Sequence, residues 1–523
     1  MKSNSLRLCL LAVGLSLASC ASWDATRQEI IKPLNQLVHF DYPEALRSQA
    51  SERVAQLFSP ELAEWAAEDA REIAGRFTRI DRCRCVIYDA TSPDDTGAIR
   101  TDCVVRLDGL IDGTRVTWRQ ERAITARPIL GEWRIIEIEL GKTLEPITTT
   151  VFEEEAQERG LIAHNRSRGT LDRAGVEQTF LASAGVSVGD ADGDGLDDLL
   201  MLSGDKIRLF LNRGGEFEDV TERSGLITPE TGECRCGYFA DIDGDGDQDL
   251  FVAIFLGTNL LFVNDGDAVF HQVFPEESGL ITEHGQTSSA CFGDFDGDGD
   301  LDLVLANGSN IYTTDPEPKR NARNGFADQF FRNNGDGTFY EATEEVGLGE
   351  TGWALAVSAS DIDKDGDLDL FIGNDIGNDV MYLNRGDGTF EDISESAGVV
   401  YAGSSMSADF GDVNGDGWPD LYVSGMASNS RWILRLPGFP LPVPFPLDVM
   451  FRSQIVDVMW EMFHGNRLYL NNQDGTFREV SKETRSDWLG WAWASLFLDY
   501  DNDGFLDIYC ANGMWTGEEA TDC

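Results

Sequence analysis

The chain has 523 residues, and its 41 Lys and Arg stand against 92 Asp and Glu, a formal net charge of −51. So acidic a chain excludes nucleic acid as a natural partner, because phosphate contacts are made by Lys and Arg. Beyond the first 19 residues no stretch is apolar and long enough to span a bilayer.

Residues 1–19 read as a secretion signal, with Lys2 and Arg7, the apolar run Leu8 to Leu17, and then Ala18-Ser19. The run is too short for a spanning helix. Leu17-Ala18-Ser19-Cys20 resembles a bacterial lipobox, which implies lipidation of Cys20; an ordinary signal peptide cleaved nearby is the alternative. Ala21 after the cysteine implies, by the same resemblance, sorting to the outer membrane or surface of a Gram-negative-type cell. Residues 20–40 form a polar tether.

Residues 41–148 predict a small α+β domain. Apolar residues recur with helical spacing from Pro43 to Phe77, among them Val54, Leu57-Phe58, Ala66, Ala70 and Ile73. Strand-like runs follow at Cys85–Tyr88, Cys103–Leu107, Val116–Thr125 and Trp133–Leu140. Two helices before a curved sheet resemble an NTF2-like or cystatin-like domain. Such domains hold a small ligand in some cases and are purely structural in others. Disulfides are the default in an exported chain. The candidates are Cys83, Cys85 and Cys103, with Cys103 on a strand next to the other two, and Cys234 and Cys236. The thiols and the five histidines lack the spacing of a zinc site.

From 150 to 523 one pattern, Asp-x-Asp/Asn-x-Asp-Gly-x-x-Asp, recurs six times, and each copy leads into a short apolar run. At positions 1, 3, 5, 7 and 9, loop one carries Asp190, Asp192, Asp194, Leu196 and Asp198, and loop two Asp241, Asp243, Asp245, Asp247 and Asp249. Loop three carries Asp294, Asp296, Asp298, Asp300 and Asp302, and loop four Asp361, Asp363, Asp365, Asp367 and Asp369. Loop five carries Asp412, Asn414, Asp416, Trp418 and Asp420, and loop six Asp499, Asp501, Asp503, Phe505 and Asp507. Alternate side chains at 1, 3 and 5 converge on one centre. Gly at position 6 permits the sharp turn, position 7 offers a backbone carbonyl, and position 9 closes the shell. An all-oxygen, flexible shell of this kind suits Ca²⁺ rather than Zn²⁺ or Mg²⁺. About six ions are expected. An EF-hand would need Glu at position 12 and a following helix; here strand-forming runs follow instead.

Successive loops start 51, 53, 67, 51 and 87 residues apart, the period of propeller blades. Before each loop stands a Phe, an acidic stretch and usually Gly-Leu or Gly-Val, as in Phe217 to Leu226. After each of the first five comes an alternating strand ending in Asn, at Asn212, Asn264, Asn333, Asn384 and Asn471. Each unit therefore reads as a four-stranded antiparallel blade. The count gives six blades, with seven open, and the stretch from Phe152 is a candidate strand for closing the ring. The long gap before loop six holds a Pro-rich and then amphipathic insert, 427–465, which packs back on the blades or meets a partner or lipid. Ser309–Phe326 is a smaller insert.

Three patterns are set aside. Gly185-Val186-Ser187-Val188-Gly189 spells a nucleophile elbow but runs into a metal loop rather than a helix. Arg385-Gly386-Asp387 aligns with Asn334-Gly335-Asp336 and reads as a hairpin turn. Trp353, Trp491 and Trp493 are expected to pack inside blades.

The six loops, the Phe-to-Gly segments and Trp491-Ala492-Trp493 before loop six resemble the FG-GAP/VCBS repeats of integrin-alpha-like propellers. The likeness is greatest to the bacterial relatives of the cartilage acidic protein family. That resemblance implies a calcium-loaded, seven-bladed extracellular module. The functional expectation is a calcium-binding, membrane-anchored surface lipoprotein that is not an enzyme and engages a protein or glycan ligand. The alternative is a propeller hydrolase or lyase acting on extracellular glycans or phosphoesters. A third option is an assembly factor that docks a partner through residues 41–148.

Overall fold

The structure is a computed structural model. It describes residues 51–90, 98–111, 114–129, 132–148, 158–161, 184–203, 206–229, 231–282, 285–309, 314–318, 321–426, 465–487 and 492–512, with a few isolated positions. The leader 1–19, Cys20, the tether to 40, Phe152, Trp491 and nearly all of the insert 427–465 lie outside the described residues. The chain divides into two compact units, the first boundary along the chain falling between Glu153 and Glu154.

In the first unit two helices, α1 (Ser51–Leu57) and α2 (Ala63–Arg76), precede four antiparallel strands, β1 (Arg79–Ala90), β2 (Ile99–Ile111), β3 (Thr114–Ile129) and β4 (Glu132–Thr148), paired in sequence order. The helical stripe Val54, Phe58, Ala66, Ala70 and Ile73 is buried against alternate strand residues Ile99, Cys103, Val105 and Leu107. The strands are longer than the apolar runs that announced them. Their ends carry polar pairs such as Arg100 with Glu139 at 2.8 Å, which hold the sheet without an apolar signature. Arg122 is sealed in this core, where Asp69 at 2.9 Å and Gln120 satisfy its guanidinium.

Among the described residues the second unit contains five four-stranded antiparallel sheets, each ordered as a meander. Blade one uses Ala184–Gly189, Asp198–Ser203, Lys206–Asn212 and Phe217–Asp219. Blade two uses Glu233–Ala240, Asp249–Phe255, Leu260–Asn264 and Phe270–Val273. Blade three uses Thr287–Gly293, Asp302–Asn307, Gln329–Asn333 and Phe339–Glu341. Blade four uses Ala354–Ser360, Asp369–Asn374, Val380–Asn384 and Phe390–Asp392, and blade five Ser405–Gly411, Asp420–Gly425, Arg467–Asn471 and Phe477–Glu479. The sixth sheet has two strands among the described residues, Ala492–Leu498 and Asp507–Asn512. First strands of successive blades lie side by side, so the expected propeller is formed.

The cores lie between blades. Leu200, Leu209 and Leu211 meet Val252, Ile254 and Phe262, for example, and Phe295 and Phe330 meet Leu370 and Phe390. Each such side chain contributes roughly 2 kcal/mol on burial. Asp249–Phe255 is buried along its whole length because both faces are covered, which is why it reads as a continuous apolar run. Asp198–Ser203 in blade one alternates instead, and Val186 and Val188 on its neighbouring strand are exposed. Trp493 departs from expectation in the same way. Trp353 is buried, but Trp493 is 40% exposed with Leu496 and Tyr509; these side chains alternate with Phe497, Ile508 and Cys510, which pack toward blade five.

Between blades the Phe-to-Gly segments form one helical turn closed by a left-handed glycine, such as Pro275–Ser278 with Gly279 at φ 79°. Where Phe477 is not followed by Gly, Arg485 takes the same conformation at φ 62°. Ser187 lies in a strand with its hydroxyl on the Gly237 carbonyl, and Arg385–Thr389 is a hairpin turn closed by a 2.9 Å backbone bond.

Candidate metal centres

Each loop joins the first and second strands of its blade. Positions 4 and 6 both adopt left-handed φ, for instance Gly193 at 71° and Gly195 at 84°. Lys364 and Asn502 hold position 4 in loops four and six, at 62° and 57°. Two left-handed residues in a row of six fold the loop back so that alternate side chains face one point.

The result is a convergence of carboxylates. One oxygen each from Asp190, Asp192 and Asp194 lies within 4.8 Å of the others. The same holds for Asp241, Asp243 and Asp249, for Asp294, Asp296 and Asp298, for Asp361, Asp363 and Asp365, and for Asp499, Asp501 and Asp507. In loop five the amide of Asn414 replaces one carboxylate and accepts the Asp416 N–H at 2.8 Å.

Loop backbone fixes these side chains. Position 1 accepts from position 6, as Asp190 does from Gly195 N–H at 2.9 Å. Position 5 accepts the N–H of position 7, from Leu196, Asp247, Asp300, Asp367, Trp418 and Phe505 in turn. The closing Asp is buried in loops one to five. Its Oδ1 accepts the N–H of the Asn that ends strand three: Asn212, Asn264, Asn333, Asn384 and Asn471, at 2.7–3.0 Å.

That Asn was visible in the sequence as a pattern, but its role was not. In blades two to five its Nδ2 also donates to the position-2 carbonyl of the preceding loop: Ala191, Ile242, Phe295 and Ile362, at 2.7–2.9 Å.

Burial raises the pKa values of the closing carboxylates, helped by the neighbouring negative charges. Asp249 and Asp420 are pushed up to about 6, and Asp302 and Asp369 to about 7. Groups so arranged call for a cation. The donors are hard oxygens throughout, and Asp192 Oδ1 and Asp302 Oδ2 are buried without a hydrogen-bond partner. This set fits Ca²⁺. Two guanidiniums, which no sequence signal announced, also reach these loops. Arg213 Nη1 donates to Asp192 Oδ2 at 2.7 Å and Asp194 Oδ2 at 3.1 Å. Arg332 Nη1 bonds Asp296 Oδ2.

Carboxylates with raised pKa values also occur outside the loops. Burial pushes Asp379 up to about 7 and raises Asp328 as well. Both stand just before strand three and accept the N–H that ends strand two, from Asn374 at 2.9 Å and Asn307 at 2.8 Å. Asn259 and Asn466 accept comparable N–H groups, from Ile254 and Gly425, in blades two and five. Asp328 and Asp379 are thus joints within blades.

Among the candidate cysteines, Cys85 and Cys103 lie diagonally across β1 and β2, with Cys85 opposite Val105 and Cys103 opposite Ile87. A hydrogen bond from Cys85, then burial, holds the Cys103 thiol well above its usual range. Cys83, opposite Leu107, is further along the strand. Cys234 and Cys236 flank a bulge in blade two. Cys85, Cys103 and Cys236 are free thiols.

Residues 190–252, 241–305, 320–372, 361–423 and 454–510 match the FG-GAP-like repeat. Cartilage acidic protein 1 of Xenopus tropicalis is 23% identical over 394 residues, 63% of this chain and 57% of that protein. The Homo sapiens protein of the same name is 24% identical over 394 residues, 63% of this chain and 56% of its own length. The chain thus spans a little over half of these relatives. Among solved structures, an Agrocybe aegerita lectin that recognises non-reducing terminal N-acetylglucosamine is 18% identical, covering 68% of this chain and 72% of its own, with a TM-score of 0.34.

Proposed function

Because the chain belongs to the FG-GAP-like repeat family, we propose that it is a calcium-binding, non-enzymatic adhesion module that engages a protein or glycan ligand. The observation that carries this reading is the set of five carboxylate triads, each within 4.8 Å, held at equivalent places on successive blades. Calcium supplies the positive charge that lets these carboxylates stay ionised at close quarters. The chain's own residues do the rest: positions 1, 3, 5 and 9 bind, and the loop N–H groups aim them. Outside the loops, the buried Asp328 and Asp379 are engaged in blade joints, which favours a binding role over the hydrolase or lyase alternative. The leader and Cys20 support export and lipid anchoring at the outer membrane or cell surface. No helix among the described residues is long and apolar enough to cross a membrane.

The test is thermal unfolding of the full chain with Ca²⁺ and with chelator. A ligand at 100 times its Kd stabilises by about 2.7 kcal/mol per site, so several filled loops raise Tm by well over ten degrees. Equal Tm values would sink the calcium reading. Glycan and peptide arrays probed with and without Ca²⁺ then read out the ligand class.

A further inference from the structure

We propose that the third loop carries its own cation: the Arg332 guanidinium takes the place of calcium there, so five loops bind the ion rather than six. The inference rests on the calcium reading above and concerns which loops obey it.

The five complete blades provide an internal comparison. In loops one, two, four and five, Oδ2 of the closing Asp accepts the N–H of position 2, from Ala191, Ile242, Ile362 and Val413, at 2.9–3.2 Å. Loop three departs from this. Asp302 is 1% exposed, yet its Oδ2 has no hydrogen-bond partner. Instead it faces Arg332 Nη1 at 3.8 Å, and the same nitrogen bonds Asp296 Oδ2.

The residue before the strand-ending Asn is Leu211, Val263, Leu383 and Leu470 in the other blades. Only blade three of these five places a charge there. The charge is also fixed in position. Arg332 is 9% exposed, its guanidinium lies 5.6 Å from the centre of the Phe330 ring, and Nη2 donates to the Gly388 carbonyl of blade four at 3.1 Å. A guanidinium anchored on three sides cannot leave without abandoning a buried charge. A divalent ion entering beside it would meet a positive charge within a few ångströms in a poorly screened setting.

Arg213 in loop one differs. Its side chain is 40% exposed, and Glu218 at 3.5 Å offers another partner, so it yields to an incoming ion. The convergence of Asp294, Asp296 and Asp298 is unaffected by this reasoning; the cation among them is what changes.

Calcium titration of the full chain, with bound ions counted by native mass spectrometry, tests the assignment. Arg332→Met keeps an apolar stem against Phe330 and removes the charge, and should end with one more bound ion than wild type. Leu383→Arg transfers the device to loop four and should end with one ion fewer. Equal counts for wild type and Arg332→Met would overturn the proposal. If Arg332→Met fails to fold, Leu383→Arg decides alone, and an undiminished count overturns it. Absence of bound calcium from wild type and both variants would instead reject the calcium reading, and this inference with it.

Discussion

At the end of strand three in blades two to five, an asparagine is nearly sealed from solvent and makes bonds in two blades at once. Asn471 is typical: Nδ2 donates to Ile362 O at 2.8 Å and Pro419 O at 3.2 Å, and Oδ1 accepts the Gln473 N–H at 2.8 Å. A buried group left without its partner costs about 1–3 kcal/mol. Asn471→Ala should therefore lower stability by roughly 3 kcal/mol. In blade one Asn212 Nδ2 donates to Asp197 O of its own loop and to no earlier blade among the described residues. Asn212→Ala should cost only about 1 kcal/mol. Urea unfolding of the two variants at fixed calcium checks the order, and equal losses would contradict the cross-blade role.

At the scale of elements, the helical turns that link blades end in left-handed glycines that press on the next blade. A Cβ on Gly279 would run into the Phe339 carbonyl, whereas one on Gly398 would stand 3.3 Å from the Phe477 carbonyl. Both have similar φ, 79° and 75°, so the conformational cost of alanine is shared, about 1 kcal/mol. Gly398→Ala should show little beyond that, and Gly279→Ala about 3 kcal/mol; matched thermal melts distinguish them. The sequence made the metal loops and the four-strand rhythm legible, because each depends on residue types at fixed spacing, and it showed the Phe-to-Gly segments as a pattern without their helical turn. What it could not show was contact between distant positions. Arg332 looked like one more polar residue in an alternating strand, and Trp493 looked like core because tryptophan usually is. The strand ends of the first unit were hidden for a related reason: ladders of charged pairs carry no apolar rhythm.

For the molecule as a whole, the buried carboxylates set a pH dependence whose steepness depends on calcium. Burial places Asp249 and Asp420 at about 6 and Asp302, Asp369 and Asp379 at about 7, against about 3.9 for an unfolded Asp. Between about pH 4 and pH 7 the native chelated protein holds more protons than the unfolded chain. Its stability therefore falls as pH rises through that window. Calcium displaces the loop protons, so the loaded protein should lose most of this slope and stay nearly level above about pH 5. Melts at pH 5, 6 and 7.5 should fall with pH under chelator and stay nearly level with calcium, so that the gap between them widens. A chelated protein that melts higher at pH 7.5 than at pH 5 would refute the account.

The cross-blade asparagines also give the rim a direction. In loops one, two and four, position 2 is held by its own closing Asp through N–H and holds the next blade's Asn through C=O, as Ile242 does with Asp249 and Asn333. That Asn in turn seats the next closing Asp. An empty loop thus loosens the blade downstream of it before the one upstream, so a protease acting on a calcium-starved molecule would open it sequentially, in the order in which the chain was made.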